Sequence, residues 1–267
     1  MTSRRFEDKT AILTGGAKGI GKATALRYLS EGGRLAVVDQ EAPDSAFATA
    51  LRSEAGQSAQ RLAYIQADVT DETEVARAVG EAEAALGPAD ILVNNVGFGA
   101  NPTPIETLSM AEWEQFMSIN LTTAFLLSRA VGKNMLARGS GDFVSFSSMS
   151  GIIPGLLMGG YCATKSAVQA YTEILYHENL DKGVRFVCVC PPPVATPLWK
   201  QAEDTVVPKL TAESEAIEPE EVIDTLEASL EKGDFLSFPG KQTKMGYIMR
   251  RLFPGYIWKL NHKVEGF

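Results

Sequence analysis

Short apolar runs alternate with longer amphipathic segments through most of this chain. Six runs rich in β-branched residues predict strands, and the segments between them carry the apolar repeat of helices. The predicted strands are Thr10–Thr14, Arg34–Asp39, Leu62–Ala67, Asp90–Asn94, Asp142–Phe146 and Val184–Cys190. The predicted helices are Ile20–Glu31, Asp71–Leu86, Ser109–Ala137, Gly160–Leu180 and Pro219–Glu231. Asp71 and Glu74 have the spacing of a capping box at the start of the second helix.

The strands are mostly apolar on both faces and are followed by helices. That pattern is typical of a parallel sheet covered on both sides. We therefore expect an α/β fold, a single-domain doubly wound parallel sheet over residues 1–240. Ligands of such sheets bind at the carboxyl ends of the strands, so the residues that follow each strand are the candidates for chemistry.

Composition excludes several classes of protein. The 267 residues carry a net charge of −8, which gives no reason to expect a nucleic-acid partner. The polar first residues lack a signal-peptide core, and no apolar run reaches the ~18 residues of a membrane span. Three cysteines and two histidines predict neither a disulfide framework nor a metal site. We expect a cytoplasmic protein with reduced thiols.

A glycine-rich turn joins the first predicted strand to the first helix. Its sequence is Thr14-Gly15-Gly16-Ala17-Lys18-Gly19-Ile20-Gly21. Glycines allow a tight turn and a close approach of the backbone to a pyrophosphate, and the helix N-terminus offers free N–H groups to the anion. The turn predicts a Rossmann-like dinucleotide site, although such turns also occur without a ligand.

The second strand ends in Asp39, 18 residues after Gly21. An acidic residue near this spacing can hydrogen-bond the adenosine ribose of a dinucleotide. Its charge would repel the extra phosphate of NADP(H) by about 4 kcal/mol at ~4 Å, for an effective dielectric near 20 and before screening. Lys18 would instead attract that phosphate. We expect Asp39 to prevail, so that NAD(H) is preferred over NADP(H).

A third group of residues follows the fifth strand. Ser147 and Ser148 come first, and Tyr161 and Lys165 then share one helix face because they are four residues apart. A free tyrosine titrates near ~10, and a nearby ammonium group stabilises its phenolate. Tyr161 can thus shuttle a proton while Ser148 binds the substrate oxygen. By itself, a tyrosine–lysine pair at this spacing is more often an exposed helix face.

Together these motifs resemble those of the short-chain dehydrogenase/reductase family, over about residues 8–240. The glycine turn matches the family's Thr-Gly-x-x-x-Gly-x-Gly, and Asp68-Val69 matches its adenine-contacting pair. Asn94-Asn95-Val96-Gly97 is similar to its Asn-Asn-Ala-Gly element. The remaining matches are Asn120, Ser148, Tyr161, Lys165 and Thr196.

The resemblance implies a nicotinamide-dependent oxidoreductase with a Ser-Tyr-Lys-Asn active site. Tyr161 would exchange the proton with the substrate oxygen that Ser148 holds. Lys165 would lower the pKa of the tyrosine and bind the nicotinamide ribose, and Asn120 would hold a water that links the lysine to solvent. The expected cofactor-binding residues are Gly15, Lys18, Gly19, Ile20, Gly21, Asp39, Asp68, Val69, Asn95, Gly97, Tyr161, Lys165, Pro191, Val194 and Thr196.

The chain departs from the family pattern at two points. Val96 replaces an alanine, which is a small change in volume. Pro192 stands where the family has glycine; a proline has no N–H and a φ near −65°, which changes the backbone expected beside the nicotinamide.

The segments expected to line the substrate site are apolar, and no charged residue lies between Gly151 and Tyr161. Such a lining suits a hydrophobic secondary alcohol or its ketone, although some of these side chains would equally fit a core. The expected lining residues are Phe98, Ile153, Leu156, Met158 and Trp199.

Other functions remain open beside an NAD-dependent dehydrogenase. A 3-oxoacyl-type carbonyl reductase would use NADP(H) and the same catalytic residues. A dinucleotide-sensing module would keep the fold without catalysis, which the intact Ser148, Tyr161, Lys165 and Asn120 argue against. A sugar-nucleotide epimerase is disfavoured by the chain length and the glycine spacing. The apolar surface of the two longest predicted helices, together with the resemblance, predicts a homodimer or homotetramer.

Residues 241–267 form a tail with its own charge. It holds six basic residues and one acidic residue, a net +5, whereas residues 1–240 carry −13. Met245, Ile248, Met249 and Leu252 form an amphipathic helical stripe. Two hypotheses fit: the tail packs on its own domain or a neighbouring subunit, with its basic face on the acidic body, or it lies on an anionic membrane. We favour packing on protein, because the acidic body would repel an anionic bilayer.

Overall fold

A computed structural model of the protein describes residues 5–99, 102–198, 209 and 215–266. The described residues form a seven-stranded parallel sheet with the order β3-β2-β1-β4-β5-β6-β7. The strands are β1 Thr10–Thr14, β2 Arg34–Asp39, β3 Leu62–Gln66, β4 Ile91–Asn94, β5 Gly141–Phe146, β6 Val184–Val189 and β7 Leu236–Ser237. The strand order reverses between β1 and β4, where a ligand crevice of a doubly wound sheet is expected.

Helices cover both faces of this sheet, as the sequence predicts. They are α1 Gly19–Ser30, α2 Ala46–Ala55, α3 Glu72–Leu86, α4 Met110–Phe116, α5 Thr123–Arg138, α6 Gly159–Glu178, α7 Pro219–Lys232, α8 Thr243–Leu252 and α9 Pro254–Glu265. Short 3₁₀ turns occupy Gly56–Arg61, Ile105–Thr107 and Met149–Gly151. In the described part of the chain, no helix is long and apolar enough to cross a membrane.

Successive strand residues supply the two hydrophobic layers. Ile12 and Val38 belong to the layer under α3 and α5, while their neighbours Leu13 and Val37 belong to the layer under α1 and α7. All four are buried, because adjacent side chains of a strand point to opposite faces and both faces are covered. This is why the strands lack the apolar–polar alternation of a half-exposed sheet.

Three local features differ from the sequence prediction. The predicted helix Ser109–Ala137 is divided by a π-helical segment, Met117–Thr122. β7, which has only two residues, and α2 are elements that the sequence did not predict.

The predicted capping box at Asp71 and Glu74 was wrong in one half. Asp71 does cap α3, since its side chain accepts from the N–H groups of Thr73 and Glu74. The Glu74 carboxylate instead accepts from the N–H of Asp68 at 2.8 Å. It therefore fixes the loop after β3, and a complete capping box forms at Ser109 and Glu112.

Gly21 marks a close approach between α1 and the turn that precedes it. A Cβ at position 21 would lie 2.0 Å from the carbonyl oxygen of Gly15, a backbone atom that cannot move aside. We predict that Gly21→Ala lowers the free energy of unfolding by roughly 1–3 kcal/mol. Gly80→Ala is the matched control: position 80 lies within α3 with nothing within 4 Å of an added Cβ. It should raise stability by about 1 kcal/mol. Urea denaturation measures both, and a Gly21→Ala protein as stable as wild type would contradict the packing.

Candidate active site

A single large cleft of about 1910 Å³ runs along the carboxyl ends of the strands. It extends from the glycine turn after β1 to the loops that follow β4, β5 and β6. The residues that the sequence analysis selected from separate motifs thus meet in one space. The sheet topology explains this, because parallel strands bring their carboxyl ends to the same edge.

The glycine turn forms one end of the cleft. Gly15 and Gly19 have left-handed backbone angles, with φ of +67° and +54°, that a side chain would strain. Gly15, Gly19 and Ile20 line the cleft, whereas Gly21 lies behind the turn and lets α1 approach it. The amide of Asn95 donates to the carbonyl oxygens of Thr14 and Gly15 at 3.1 and 3.0 Å, which ties the loop after β4 to the turn.

Asp39 lies at the end of β2 with only 8% of its surface exposed. One carboxylate oxygen accepts from the N–H of Ala17, within the glycine turn, at 2.9 Å, and the other accepts from the N–H of Glu41 at 3.1 Å. Each carboxylate oxygen has a second lone pair that can accept from a ligand hydroxyl. Asp39 therefore shapes the turn and faces the cleft at once.

Lys18 does not present a free cation to the cleft. Its ammonium group lies 2.6 Å from a carboxylate oxygen of Glu41 and 3.8 Å from the ring centre of Phe47. Glu41 and Phe47 gave no sequence signal by themselves. The pairing follows from the adjacency of β1 and β2, which brings the residues just after both strands together.

The other expected cofactor residues, Asp68, Val69, Gly97, Pro191, Val194 and Thr196, also line the cleft. The segment of three prolines at 191–193 is anchored through the carbonyl groups of its first and last residues. Pro191 accepts from the N–H of Met149 at 2.9 Å and Pro193 from the N–H of Ile217 at 3.0 Å. Pro192 itself packs near Gly240, so the departure from glycine is accommodated by the segment that leads into α8.

Tyr161 and Lys165 project from the first turns of α6, beside the end of β5. Tyr161 is hydrogen-bonded to Ser148, and Ser148 in turn accepts from the N–H of Ser150 at 3.1 Å. The Lys165 ammonium group is buried, donates to the carbonyl of Phe146 at 2.9 Å and lies 5.9 Å from the ring centre of Tyr161. A hydroxyl, a phenol and an ammonium group thus adjoin one another at the middle of the cleft.

Asn120 lies in the π-helical segment between α4 and α5, and it is buried. Its amide oxygen accepts from the N–H of Phe98 at 2.7 Å, and its amide nitrogen donates to the carbonyl of Phe98 at 3.0 Å and to the Thr164 hydroxyl at 3.1 Å. Single π-helical turns often mark functional sites. Here the turn presents a side chain that ties the loop after β4 to α6 beside Lys165.

Comparison with known proteins identifies the family of the chain. The family model for short chain dehydrogenases matches residues 9–206. The chain belongs to the short-chain dehydrogenase family. Among curated relatives of this short-chain dehydrogenase, D-threitol dehydrogenase of Mycolicibacterium smegmatis is 36% identical over 200 residues, 75% of each chain. A 3-alpha-(or 20-beta)-hydroxysteroid dehydrogenase of Mycobacterium tuberculosis is 32% identical over 82% of this chain and 81% of its own.

Solved structures show the same fold. Levodione reductase superposes with a TM-score of 0.81 at 28% identity, covering 90% of this chain and 99% of its own. A 3-ketoacyl-(acyl-carrier-protein) reductase from Brucella melitensis, complexed with NADH, has a TM-score of 0.74 at 25% identity and covers 87% of this chain and 96% of its own. The predicted doubly wound fold and family membership are therefore confirmed.

The protonation of this short-chain dehydrogenase differs from the expectation for Tyr161. Burial raises the pKa of the Tyr161 hydroxyl, and the hydrogen bond from Ser148 offsets only part of that rise. Burial also lowers the pKa of Lys165 to about 8. The charged forms of both groups lose solvation, which outweighs the attraction between an ammonium and a phenolate at this separation. The chain by itself does not supply the lowered tyrosine pKa that the sequence analysis expected.

The substrate end is mostly as expected. Phe98, Ile153 and Met158 line the cleft, but Leu156 is not among its lining residues. Leu157 takes that position, with a left-handed φ of +61° that is rare for a branched side chain. No sequence pattern distinguishes these two neighbouring leucines. Trp199 lies outside the described residues.

The buried charge of Lys165 gives a test by pH. The unfolded lysine titrates near 10.5 and the folded one near 8, so the unfolded chain binds the proton more tightly. The free energy of unfolding that is lost by burying this charge is lost in full below pH 8. The loss diminishes as the pH rises to about 10.5 and is absent above it. We predict that Lys165→Met gains free energy of unfolding relative to wild type at pH 7, and that this gain diminishes from pH 8 to 10.5. Denaturation curves across this range measure it.

The exposed Lys182→Met serves as the control and should show no such trend. If the difference in free energy of unfolding between Lys165→Met and wild type stays constant with pH, burial of the lysine charge does not destabilise the folded protein. Loss of the bond to the Phe146 carbonyl adds an offset that does not depend on pH, so only the slope is diagnostic.

Proposed function

We propose that this short-chain dehydrogenase interconverts a hydrophobic secondary alcohol and its ketone, with NAD(H) as the preferred cofactor. The observation that carries the proposal is the hydrogen-bonded Ser148–Tyr161 pair beside buried Lys165, within a cleft that also contains the glycine turn and Asp39. These residues fit a dinucleotide: a turn in which Gly15 and Gly19, both with left-handed backbone angles, line the cleft, a helix N-terminus beside it and a carboxylate at the end of the neighbouring strand.

In the proposed reaction, the Tyr161 hydroxyl transfers a proton to the ketone oxygen in reduction and takes it back in oxidation. The Ser148 hydroxyl donates a hydrogen bond to the same oxygen and so stabilises the charge that develops on it. The bound nicotinamide supplies or accepts the hydride. Lys165 holds a positive charge behind the tyrosine, and Asn120 fixes the loop and the helix between which that ammonium group lies.

The lining of the cleft supports a hydrophobic substrate. Phe98, Ile153, Leu157 and Met158 surround its substrate end, and apolar linings favour apolar ligands. The names of the relatives cover both a polyol, D-threitol, and a hydroxysteroid. We infer that the substrate belongs with the second kind, because the apolar residues Ile153, Leu157 and Met158 of the lining all lie between Ser148 and Tyr161 in the chain.

The pairing of Lys18 supports NAD(H) over NADP(H). Glu41 neutralises the one cation of the glycine turn at 2.6 Å, so the ribose end of the proposed site presents the Asp39 carboxylate without a free opposing charge. The NADH complex of the Brucella melitensis reductase is consistent with this preference. We also expect a homodimer or homotetramer through α5 and α6, whose outer faces expose Phe125 and Ile174.

Tyr161→Phe tests the proton transfer. We predict a fall in kcat of at least a hundredfold, because general acid catalysis contributes about that much or more, with NADH affinity within twofold of wild type. Assays with a panel of secondary alcohols and ketones, read at the nicotinamide absorbance, give kcat, and calorimetry gives affinity. Tyr171→Phe, on the same helix but away from the cleft, is the control. If more than a tenth of kcat remains, Tyr161 is not the acid. If wild type turns over no member of the panel, a dinucleotide-sensing module is the better account.

Asp39→Asn tests the cofactor preference. The asparagine keeps an oxygen that can accept from the Ala17 N–H, but it removes the charge that would repel a 2′-phosphate. We predict that wild type prefers NAD(H) at least tenfold in kcat/KM and that the variant narrows this ratio at least tenfold. Asp44→Asn, an exposed residue, should leave it unchanged. A wild-type preference for NADP(H) would contradict the proposal and favour a 3-oxoacyl-type reductase.

A further inference from the structure

α8 and α9 form a carboxyl-terminal hairpin, Thr243–Glu265, whose outer surface is apolar and basic. Its large apolar side chains are exposed, including Leu252 at 64%, Tyr256 at 59% and Trp258 at 54% of their surface. Met245, Ile248 and Phe253 are exposed with them. A protein seldom leaves so many large apolar side chains together in water unless they mark an interaction site.

In the described residues, the hairpin contacts the domain through its inner side. Gly246 lies against the side chains of Ile153 and Met149, and Tyr247 packs on Phe238 with ring centres 4.9 Å apart. The Thr243 hydroxyl donates to the carbonyl of Pro239 at 2.7 Å, and Ile257 is buried. These contacts fix the position of the hairpin but do not cover its apolar stripe. The expectation that the tail packs on its own domain or on a neighbouring subunit stays a prediction, since the described contacts leave the stripe exposed.

Among the described residues, the cations of the tail also have no acidic partners. None of its six basic residues forms an ion pair with a carboxylate of the described residues; Arg250 and Arg251 instead lie over the rings of Trp258 and Tyr247. Along α8, Met245, Ile248 and Leu252 share one face, and Lys244 and Arg251 flank it on the same side, seven residues apart. Within the part of the chain that the structure describes, the basic face thus does not meet the acidic body.

We propose that this hairpin docks on the surface of a membrane that contains anionic phospholipids. Apolar stripes flanked by cations, with exposed aromatic rings, are the composition of helices that lie in the lipid interface. Each cation close to an anionic surface adds attraction, and long basic side chains can keep their charge in the headgroup layer while their stems contact apolar groups. The net +5 of residues 241–267 matches that surface.

The acidic body does not prevent this docking. Charges farther from the membrane than the Debye length, about 8 Å at physiological salt, are largely screened. The charges of tail residues in contact with lipid therefore interact with the membrane, whereas most of the net charge of −13 on residues 1–240 does not. Repulsion between the acidic body and an anionic bilayer, which favoured packing on protein, therefore acts weakly at this distance. A second copy of the chain is the other occupant that the charges permit, so the experiment separates it from lipid.

Flotation of the full-length protein with lipid vesicles tests the proposal. The probes are vesicles of phosphatidylcholine alone and vesicles with 30% phosphatidylglycerol, where the proportion is roughly that of an anionic leaflet. We expect at least tenfold more protein with the anionic vesicles and release by 0.5 M salt, which shortens the Debye length to roughly 4 Å. Lys244→Glu with Arg251→Glu should reduce binding at least tenfold. Lys182→Glu with Lys232→Glu, the same change of charge on exposed residues elsewhere, should bind as wild type does.

Two further measurements fix the interpretation. Trp258→Ser should weaken binding while circular dichroism and turnover of a water-soluble substrate remain as in wild type, which excludes simple misfolding. Light scattering should give the same mass for wild type and the Lys244→Glu, Arg251→Glu variant. The proposal would be overturned if the protein floated equally with both kinds of vesicle, or if the two charge-reversal variants bound anionic vesicles to the same extent. It would also be overturned by a wild type that ignores vesicles but loses its oligomeric state when the hairpin is altered, which would assign the surface to a second copy.

Discussion

The junction between β1 and β4 is the constraint on which the cleft depends. At the point where the strand order reverses, the Asn95 amide donates to the carbonyls of Thr14 and Gly15. Because Gly21 has no side chain, α1 can pack against the carbonyl of Gly15. The glycine turn, the loop after β4 and the first helix are thereby held as one unit. Because a buried polar group without a partner is costly, these short contacts leave the turn little freedom to adopt another shape.

The centre of the cleft is built at a cost in solvation. The Lys165 ammonium group is buried and Tyr161 is half-buried at the cleft, and burial shifts the pKa of each group in the direction that favours its neutral form. Active sites commonly sacrifice stability for chemical readiness in this way. The tyrosine becomes a more effective base only when further positive charge is brought near it, so the readiness of the site depends on what else the cleft holds.

Much of the fold could be predicted because its signals are local. Continuous apolar runs such as Val37-Val38 and the capping residue Asp71 determine where strands and helices begin, and glycine at position 15 satisfies a backbone angle that other residues resist. The sheet rule then gathers the residues that follow the strands. The candidate site could be predicted from the spacing of Ser148, Tyr161 and Lys165, because this spacing matches a family pattern that extends across distant segments.

What could not be predicted depends on contacts between distant residues. Leu157 lines the cleft where Leu156 was expected, and Leu157 has an unusual left-handed backbone angle. The neutralisation of Lys18 requires knowing that Glu41 lies beside it, and the direction of the Tyr161 pKa depends on how deeply the hydroxyl is surrounded. The exposure of the hairpin's apolar face could not be predicted for the same reason. An amphipathic stripe indicates that one side of a helix is apolar, but not which surface that side contacts.

The order of the sheet has a consequence for how such a protein can change over time. Residues of the cleft that follow β1 to β3 include the glycine turn, Asp39 and Asp68, whereas Ser148, Tyr161, Lys165 and the apolar lining come from β4 onward. The two sets are drawn from different halves of the chain and meet along a seam of contacts, which includes Asn95 with Gly15, Thr196 with Gly19, and α7 with α1. Exchange of one half between homologous genes would therefore recombine intact sets, provided that this seam is preserved, and new specificities can arise by shuffling as well as by point mutation.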